Sequence, residues 1–333
     1  QKGRRGQIRS APMNRKPNLP PSKMPDVGTT IFTEMTALAQ AHGALNVAQG
    51  FPDLPTPEAL RQAATDAMED GHNQYAPMPG NKALRTWIAE VHHAGAGYCP
   101  ETEITVGAGA SSVLYAAMTA LLQPGDEVVV QEPGYDLYAP VAELNFARVV
   151  RVPLDDDQAL HQAVGARTRI VVLNSPHNPT GNVLTDDEIV KLDKLAQENG
   201  IPLIIDNAYG TPFPNIIFEE VTPSWNSNTV LCMSLSKLGL PGVRCGIVIA
   251  NETITTALAN LNAIVSLAPG GVGPAIANHM IGTGDLLRLS ETVIKPFYQQ
   301  KAQFAVSLLQ QSITDSRFRI HKPEGAMFLW LWF

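Results

Sequence analysis

The sequence has little that would tie it to a membrane, a disulfide framework or a nucleic acid. No apolar run approaches the ~20 residues that a helix needs to cross a bilayer, which excludes a helical membrane span. Cysteine is scarce: Cys99, Cys232 and Cys245 are odd in number and far apart. They form neither a C-x-x-C metal pair nor a disulfide set, and so point to a reducing, cytoplasmic setting. Charged residues make up only 17% and aromatics 6%, against 44% hydrophobic, the balance of a soluble globular protein. Acid is missing from the first 17 residues, which carry Lys2, Arg4, Arg5, Arg9, Arg15 and Lys16. With that leader set apart, the body is more acidic than the overall charge of −7, which argues against nucleic-acid binding as the main task. The leader has no apolar stretch and is no secretory signal; a targeting segment and a disordered tail both fit it.

What is present is an alternation of helices and apolar strands. Thr56-Pro57-Glu58 opens a helix with a cap, a first-turn proline and an early acid, and Gly71 closes it. A second helix is expected over residues 81–93, and a third over 111–122, ending at the turn Gln123-Pro124-Gly125-Asp126. Strands are expected at 127–131, 170–173, 202–206, 229–234 and 246–250. Thr185-Asp186-Asp187-Glu188 forms a capping box for a helix that ends at Gly200. This order predicts an α/β fold, a three-layer sandwich around a mostly parallel central sheet. Three parts are expected: a basic tail and arm (1–40), a large domain (41–285), and a linking helix with the start of an incomplete small domain (286–333). The apolar stretch 327–333 would be a bare edge strand if nothing followed it, so the chain is expected to be a fragment.

Polar residues gather just past the strands. Asp206 ends Leu203-Ile204-Ile205, and Tyr209 follows it by three. Lys237 ends Ser234-Leu235-Ser236-Lys237, and Arg244 follows by seven. Asn178 stands in Asn174-Ser175-Pro176-His177-Asn178-Pro179-Thr180-Gly181, beyond the strand at 170–173. Ligands of open α/β sheets bind outside the carboxyl ends of the strands, where all of these sit. Taken singly, each has a plain alternative. Lys237 is a surface cation, Asp206 a helix cap, Asn178-Pro179-Thr180-Gly181 an ordinary turn, and Arg244 an ion-paired side chain. Together they supply an amine, an acid, hydroxyl and amide donors and a cation, the set that pyridoxal 5′-phosphate (PLP) chemistry requires.

In this order, Asn-Pro-Thr-Gly, Asp-x-x-Tyr, Ser-x-Ser-Lys and Arg-x-Gly, the chain resembles the fold type I PLP enzymes, the class I/II aminotransferases, over about residues 27–333. From about residue 171 onward it is most similar to the valine–pyruvate type. Asp206-Asn207-Ala208-Tyr209-Gly210-Thr211-Pro212-Phe213-Pro214 and Lys322-Pro323-Glu324-Gly325-Ala326 carry that likeness. Over about 28–140 it resembles the methionine and kynurenine type, through Gln49-Gly50-Phe51-Pro52-Asp53 and Asn73-Gln74-Tyr75-Ala76-Pro77.

The resemblance implies roles for individual residues. Lys237 would condense with the cofactor and then move the substrate's α-proton, a task suited to an amine whose pKa burial has lowered. Asp206 would pair with the pyridine nitrogen, and Tyr209 and Asn178 would hydrogen-bond the ring oxygen. Gly109, Ala110 and Ser111 at a helix start, with Ser234, Ser236 and Arg244, would hold the phosphate. Tyr135 would stack on the ring, although it reads equally as a core aromatic. Gly50 and Asn178 would face the substrate. Tyr75 would reach the phosphate of a neighbouring subunit, which implies a homodimer with shared sites. The arginine that holds the substrate carboxylate in this family falls beyond Phe333.

Competing patterns are weaker. Gly107-x-Gly109 precedes a helix, but Ser112 stands where a dinucleotide fingerprint needs its third glycine. His92-His93 has no ligand partners nearby in sequence, so no metal site is expected, and Asp155-Asp156-Asp157 reads as a solvated loop. The expected reaction is ping-pong transfer of an amino group from a small apolar amino acid, valine or alanine, to a 2-oxo acid such as pyruvate. Alternatives are a methionine or aromatic aminotransferase, a C–S β-lyase, a PLP-binding regulatory module, and an impaired fragment that binds PLP without efficient turnover.

Overall fold

Along a strand, neighbouring side chains leave the sheet on opposite faces, and here both faces are apolar. Ile170 and Val172, Ile204, and Val230 and Cys232 enter one core. The residues between and beside them, Val171 and Leu173, Leu203 and Ile205, and Leu231 and Met233, enter another. A sheet buried on both sides needs helices on both sides, and at about 1.5–3 kcal/mol for each buried aliphatic side chain these two faces dominate the fold. The protein is described by a computed structural model covering residues 21–23, 30–92, 97–154, 156–221, 226 and 228–333. The basic leader, His93 and Asp155 lie outside the described residues, as does the side chain of His92.

The central sheet has seven strands: β1 (Ile104–Gly107), β2 (Glu127–Glu132), β3 (Arg148–Pro153), β4 (Thr168–Asn174), β5 (Leu203–Asp206), β6 (Thr229–Ser234) and β7 (Gly246–Ile249). Their order is β1-β7-β6-β5-β4-β2-β3. Strands β2 to β6 pair in parallel, while β7 runs antiparallel to β6 and β1. The first helices are α1 (Ile31–Ala41), α2 (Glu58–Glu69), α3 (Lys82–Trp87), α4 (Ala110–Leu121), α5 (Tyr138–Leu144) and α6 (Asp157–Ala163). They are followed by α7 (Asp186–Glu198), α8 (Glu252–Ser266), α9 (Val272–Gly282), α10 (Asp285–Leu289) and α11 (Lys295–Ser312). Helices α4, α5 and α8 cover one face of the sheet, through residues such as Leu114, Tyr138 and Leu258. The opposite face receives α2, α7 and α9, through Leu60, Leu192 and Ile276. The expected three-layer, mostly parallel α/β sandwich is thus present.

Several local expectations need correction. Thr56 does not cap α2: Pro57 occupies the cap position without a side-chain bond, because the Thr56 hydroxyl donates instead to the Gly239 carbonyl at 3.0 Å. Asp156 and Asp157 are not a solvated loop. Asp156 caps α6 by accepting from Ala159 N, and Asp157 is its first residue, where acids favour the positive end of the helix dipole. The linking helix expected at the start of 286–333 is interrupted by a π-helical turn, Ser290–Ile294. The interruption comes just before Pro296, which has no N–H for the regular ladder. The helix at 81–93 likewise widens into a π turn at Ile88–His92. The capping box at Thr185 and Glu188 is present as expected. The segment near Phe333 is paired rather than bare, since β9 (Leu331–Trp332) runs antiparallel to β8 (Arg319–Ile320).

Candidate active site

The same alternation that builds the cores also places the polar residues. Asp206 lies two residues beyond Ile204, Asn174 two beyond Val172 and Ser234 two beyond Cys232, so all three point to the α4/α5 face at the carboxyl ends of their strands. The register sets Asn174 beside Asp206 on adjacent strands. Above these ends lies a cavity of about 490 Å³. Its walls include Gly50, Ala110, Ser111, Tyr135, Asn178, Asp206, Tyr209, Ser234, Ser236, Lys237 and Arg244, eleven of the thirteen residues picked out from the sequence. Of the other two, Gly109 lies directly behind the wall and Tyr75 lies apart from it, 76% exposed at the surface.

Asp206 forms the floor. It is 4% exposed; its Oδ2 accepts from the Tyr138 hydroxyl at 2.9 Å and its Oδ1 from Ala208 N at 3.2 Å. Burial disfavours the ionised form and raises its pKa to about 6, against the lowering effects of Tyr138, Ala208 N and the Lys237 charge. Lys237 is partly buried, with Nζ 5.2 Å from the centroid of the Tyr209 ring. Desolvation lowers its pKa to about 8, with Asp206 opposing the shift and Arg244 adding to it. Burial pushes the Tyr209 phenol far up, so it keeps its proton as a donor. Asn174 fastens the neighbouring loop: its amide donates to the Asp206 carbonyl at 2.8 Å and its Oδ1 accepts from Asn178 N at 2.6 Å.

The opposite end of the cavity gathers a helix start, serines and an arginine, a set that could hold an anion. Helix α4 begins after Gly109, whose φ of 91° is open to glycine alone among common residues, and no side chain caps its free N–H groups. A Cβ at Gly109 would overlap the Arg244 guanidinium, and one at Gly246 would lie 2.4 Å from the Gly109 carbonyl carbon. Bare backbone therefore lets Arg244 lie against the helix start. Arg244 Nη1 donates to Ser236 Oγ and to the Pro241 carbonyl, both at 3.1 Å. Ser234 Oγ accepts from Ser236 N at 3.0 Å, and Ser111 Oγ lies 3.3 Å from the Tyr135 hydroxyl. On the cavity wall, Phe328 packs edge-on to Tyr209 with centroids 5.5 Å apart, and its ring covers Gly50 so closely that a Cβ there would overlap it.

The geometry joins a buried acid, a lysine of lowered pKa and an anion cradle around one cavity. Residues 43–333 match the family described as "Aminotransferase class I and II". The chain belongs to that family. Its members are PLP-dependent, and the residues of this aminotransferase fit the cofactor: a cradle of glycine, serine and arginine for a phosphate, a buried carboxylate for a ring nitrogen, and an amine for a carbonyl. Valine–pyruvate aminotransferase of Escherichia coli (strain K12) is 62% identical over 173 residues, which is 52% of this chain and 42% of that protein. The chain thus spans less than half of that relative's length in the match. Methionine aminotransferase of the same organism is 34% identical over 336 aligned positions, covering 95% of this chain and 83% of the relative. A solved methionine aminotransferase structure from Escherichia coli superposes with a TM-score of 0.84 at 33% identity, over 95% of this chain and 84% of that one. The N-succinyldiaminopimelate aminotransferase of Mycobacterium tuberculosis gives a TM-score of 0.80 at 30% identity, over 92% and 82%.

Sequence reasoning missed Tyr138, Asn174 and Phe328. Tyr138 follows Tyr135 by three residues, just inside α5, a spacing that by itself does not single it out. Asn174 was readable as the last residue of β4, on the same parity as Val172.

The buried acid has a stability consequence. A carboxyl raised from its ordinary value to about 6 in the fold binds its proton more tightly there than in the unfolded chain. The cofactor-free protein therefore loses stability as pH rises from about 4 to 6, and the cost stays in place above that range. Asp206→Asn should flatten that part of the pH profile and stabilise the cofactor-free protein at pH 8, by at most about 3 kcal/mol. Urea denaturation at several pH values checks this, and a variant less stable than the parent at pH 8 would refute it.

Proposed function

We propose that this aminotransferase transfers an amino group from a small apolar amino acid of the valine or alanine type to a 2-oxo acid such as pyruvate, by a ping-pong mechanism. The observation that carries the reading is the facing of Asp206 and Lys237 across one cavity, each drawn by burial toward its neutral form. When bound, PLP supplies a carbonyl that an amine can capture and a ring that withdraws electrons from the substrate α-carbon.

The chain's own residues account for the rest. With a pKa near 8, the Lys237 amine both takes and returns a proton close to neutral pH, so it serves as the base at the substrate α-carbon. Asp206 holds a proton at the ring nitrogen and supplies the negative charge that stabilises it. Tyr209 and Asn178 donate to the ring oxygen. The N–H groups opening α4, with Ser111, Ser234, Ser236 and Arg244, hold the phosphate. Tyr135 would stack on the ring, and Phe328, packed on Tyr209, would add an apolar side to the space for the substrate. Gly50 and Asn178 face the substrate.

The apolar part of the wall, Ile31, Phe32, Leu114, Phe51 and Phe328, supports an apolar substrate side chain. A second reading, methionine or an aromatic amino acid, draws on the same wall and on the methionine aminotransferase that aligns over 95% of this chain. Selectivity among such side chains is worth only ~1–3 kcal/mol per methylene, so a substrate panel must decide it. We further propose a homodimer in which Tyr75, exposed here, completes the phosphate site of the partner, and a reducing compartment for the three free cysteines.

Three outcomes are expected. Lys237→Ala should lose the visible absorbance that a carbonyl cofactor gains on capture by an amine, with turnover falling at least about 10²-fold; retained absorbance and rate would remove Lys237 from its role. In a substrate panel, valine with pyruvate, or alanine with the 2-oxo acid of valine, should give the highest kcat/KM, and product beyond one equivalent per site should disappear when the 2-oxo acid is withheld. Leadership by methionine or an aromatic amino acid moves the specificity to the second reading, and ammonia release without pyruvate identifies a β-lyase. Mixing Tyr75→Ala with Lys237→Ala should restore activity, since a hybrid dimer holds one site with both residues intact. No recovery, with a monomer mass by sedimentation, rules out shared sites.

A further inference from the structure

A carboxylate at the end of a strand has one soft torsion at its tip, and the terminal rotation of aspartate is broad. A single backbone donor, Ala208 N at 3.2 Å from Oδ1, leaves the other oxygen of Asp206 to be fixed by something else. That something is a tyrosine outside the sequence motifs. Tyr138 is 4% exposed at the first turn of α5, and its hydroxyl donates to Oδ2 at 2.9 Å. The ring is itself held: it meets Tyr135 edge-on, with centroids 5.7 Å apart and planes at 80°. Tyr135 in turn lies within hydrogen-bond reach of Ser111 at the start of α4. One continuous line of side chains therefore runs from the acid at the cavity floor to the anion cradle.

We propose that Tyr138 is a positioning residue: its hydroxyl locks the Asp206 carboxylate in one rotamer and presents it to the cavity as an acceptor. The proposal rests on the PLP-dependent reading of the site. The physical reason is that a buried carboxylate needs donors to stay ionised, and only an ionised Asp206 can hold a proton on a ring nitrogen. A tyrosine suits the task because two torsions fix the whole ring, and burial beside Asp206 pushes its own phenol well up, so it stays a donor throughout the working pH range. Other groups that bear on Asp206 are Lys237 beyond β6, Tyr209 and Ala208 N beyond β5, Cys232 on β6 and Tyr135 before α5. Among them Lys237 is the one that can carry positive charge, and among the side chains Tyr138 alone bonds the carboxylate directly.

Tyr138→Phe keeps the ring and deletes the hydroxyl. In cofactor-free protein, infrared spectroscopy follows the protonated-carboxyl stretch that Asp206→Asn removes. Its titration midpoint should move up by about one unit in Tyr138→Phe, and the PLP dissociation constant, read by fluorescence, should rise about tenfold. A variant that only melts earlier, with the midpoint unmoved and PLP affinity within about twofold of the parent, overturns the proposal, because mere packing predicts that pattern. Should Tyr138→Phe fail to fold, 3-fluorotyrosine at position 138 strengthens the donor without removing it. The midpoint should then move down, and an unmoved midpoint is equally fatal. The carboxyl titration needs no cofactor, so a parent protein that does not bind PLP defeats the functional reading while the midpoints still decide whether Tyr138 governs Asp206.

Discussion

A negative charge sunk beneath a sheet's edge is hard to keep, and the site is organised around keeping one. Asp206 lies on the strand parity that faces α4 and α5, with Ile204 two residues behind it and apolar side chains of both helices around it. Water is largely shut out, so the protein substitutes fixed donors for hydration: a phenol, a backbone N–H and the nearby lysine. The lysine is subject to the same low dielectric. Acid and amine are each less charged than they would be in water, and each partly restores the other's charge. Such mutual tuning brings both groups within reach of neutral pH inside a fold made of aliphatic layers.

Backbone without side chains matters just as much at the other end. Gly109 and Gly246 leave room for the start of α4 and the Arg244 guanidinium to share one small volume. Arg244 adopts a left-handed backbone conformation, φ 48°, to turn its side chain back over Ser236. That strain is tolerated because β7 on one side and the serine loop on the other hold the segment from both directions. The floor and the cradle thus rest on different physics, one on replaced hydration and the other on close approach of main chain.

Much of this was legible in the sequence, for identifiable reasons. Fully buried strands such as residues 203–206 and 229–234 are mostly apolar runs, and each ends on a polar residue that stays buried and needs a partner. That break in pattern marks Asp206 and Ser234 in the sequence. Strand β3 was not legible, because Arg148 and Arg151 interrupt it at an edge where charges are tolerated. Nor was β1, Ile104–Gly107, at the opposite edge of the sheet. Thr56 misled because its hydroxyl has a long-range partner in Gly239 that local spacing cannot reveal. Tyr138 was invisible for a related reason: its worth lies in a partner 68 residues away, and nothing in Tyr-Asp-Leu-Tyr distinguishes a clamp from a core aromatic.

The contact between Gly50 and Phe328 has an implication for how such a wall diverges. An aromatic plate lies on naked main chain, from two stretches far apart in sequence. Any side chain on the glycine collides with the plate, so position 50 stays pinned for as long as position 328 keeps its ring. The same ring rests edge-on against Tyr209, so drift at position 328 is felt first by that phenol.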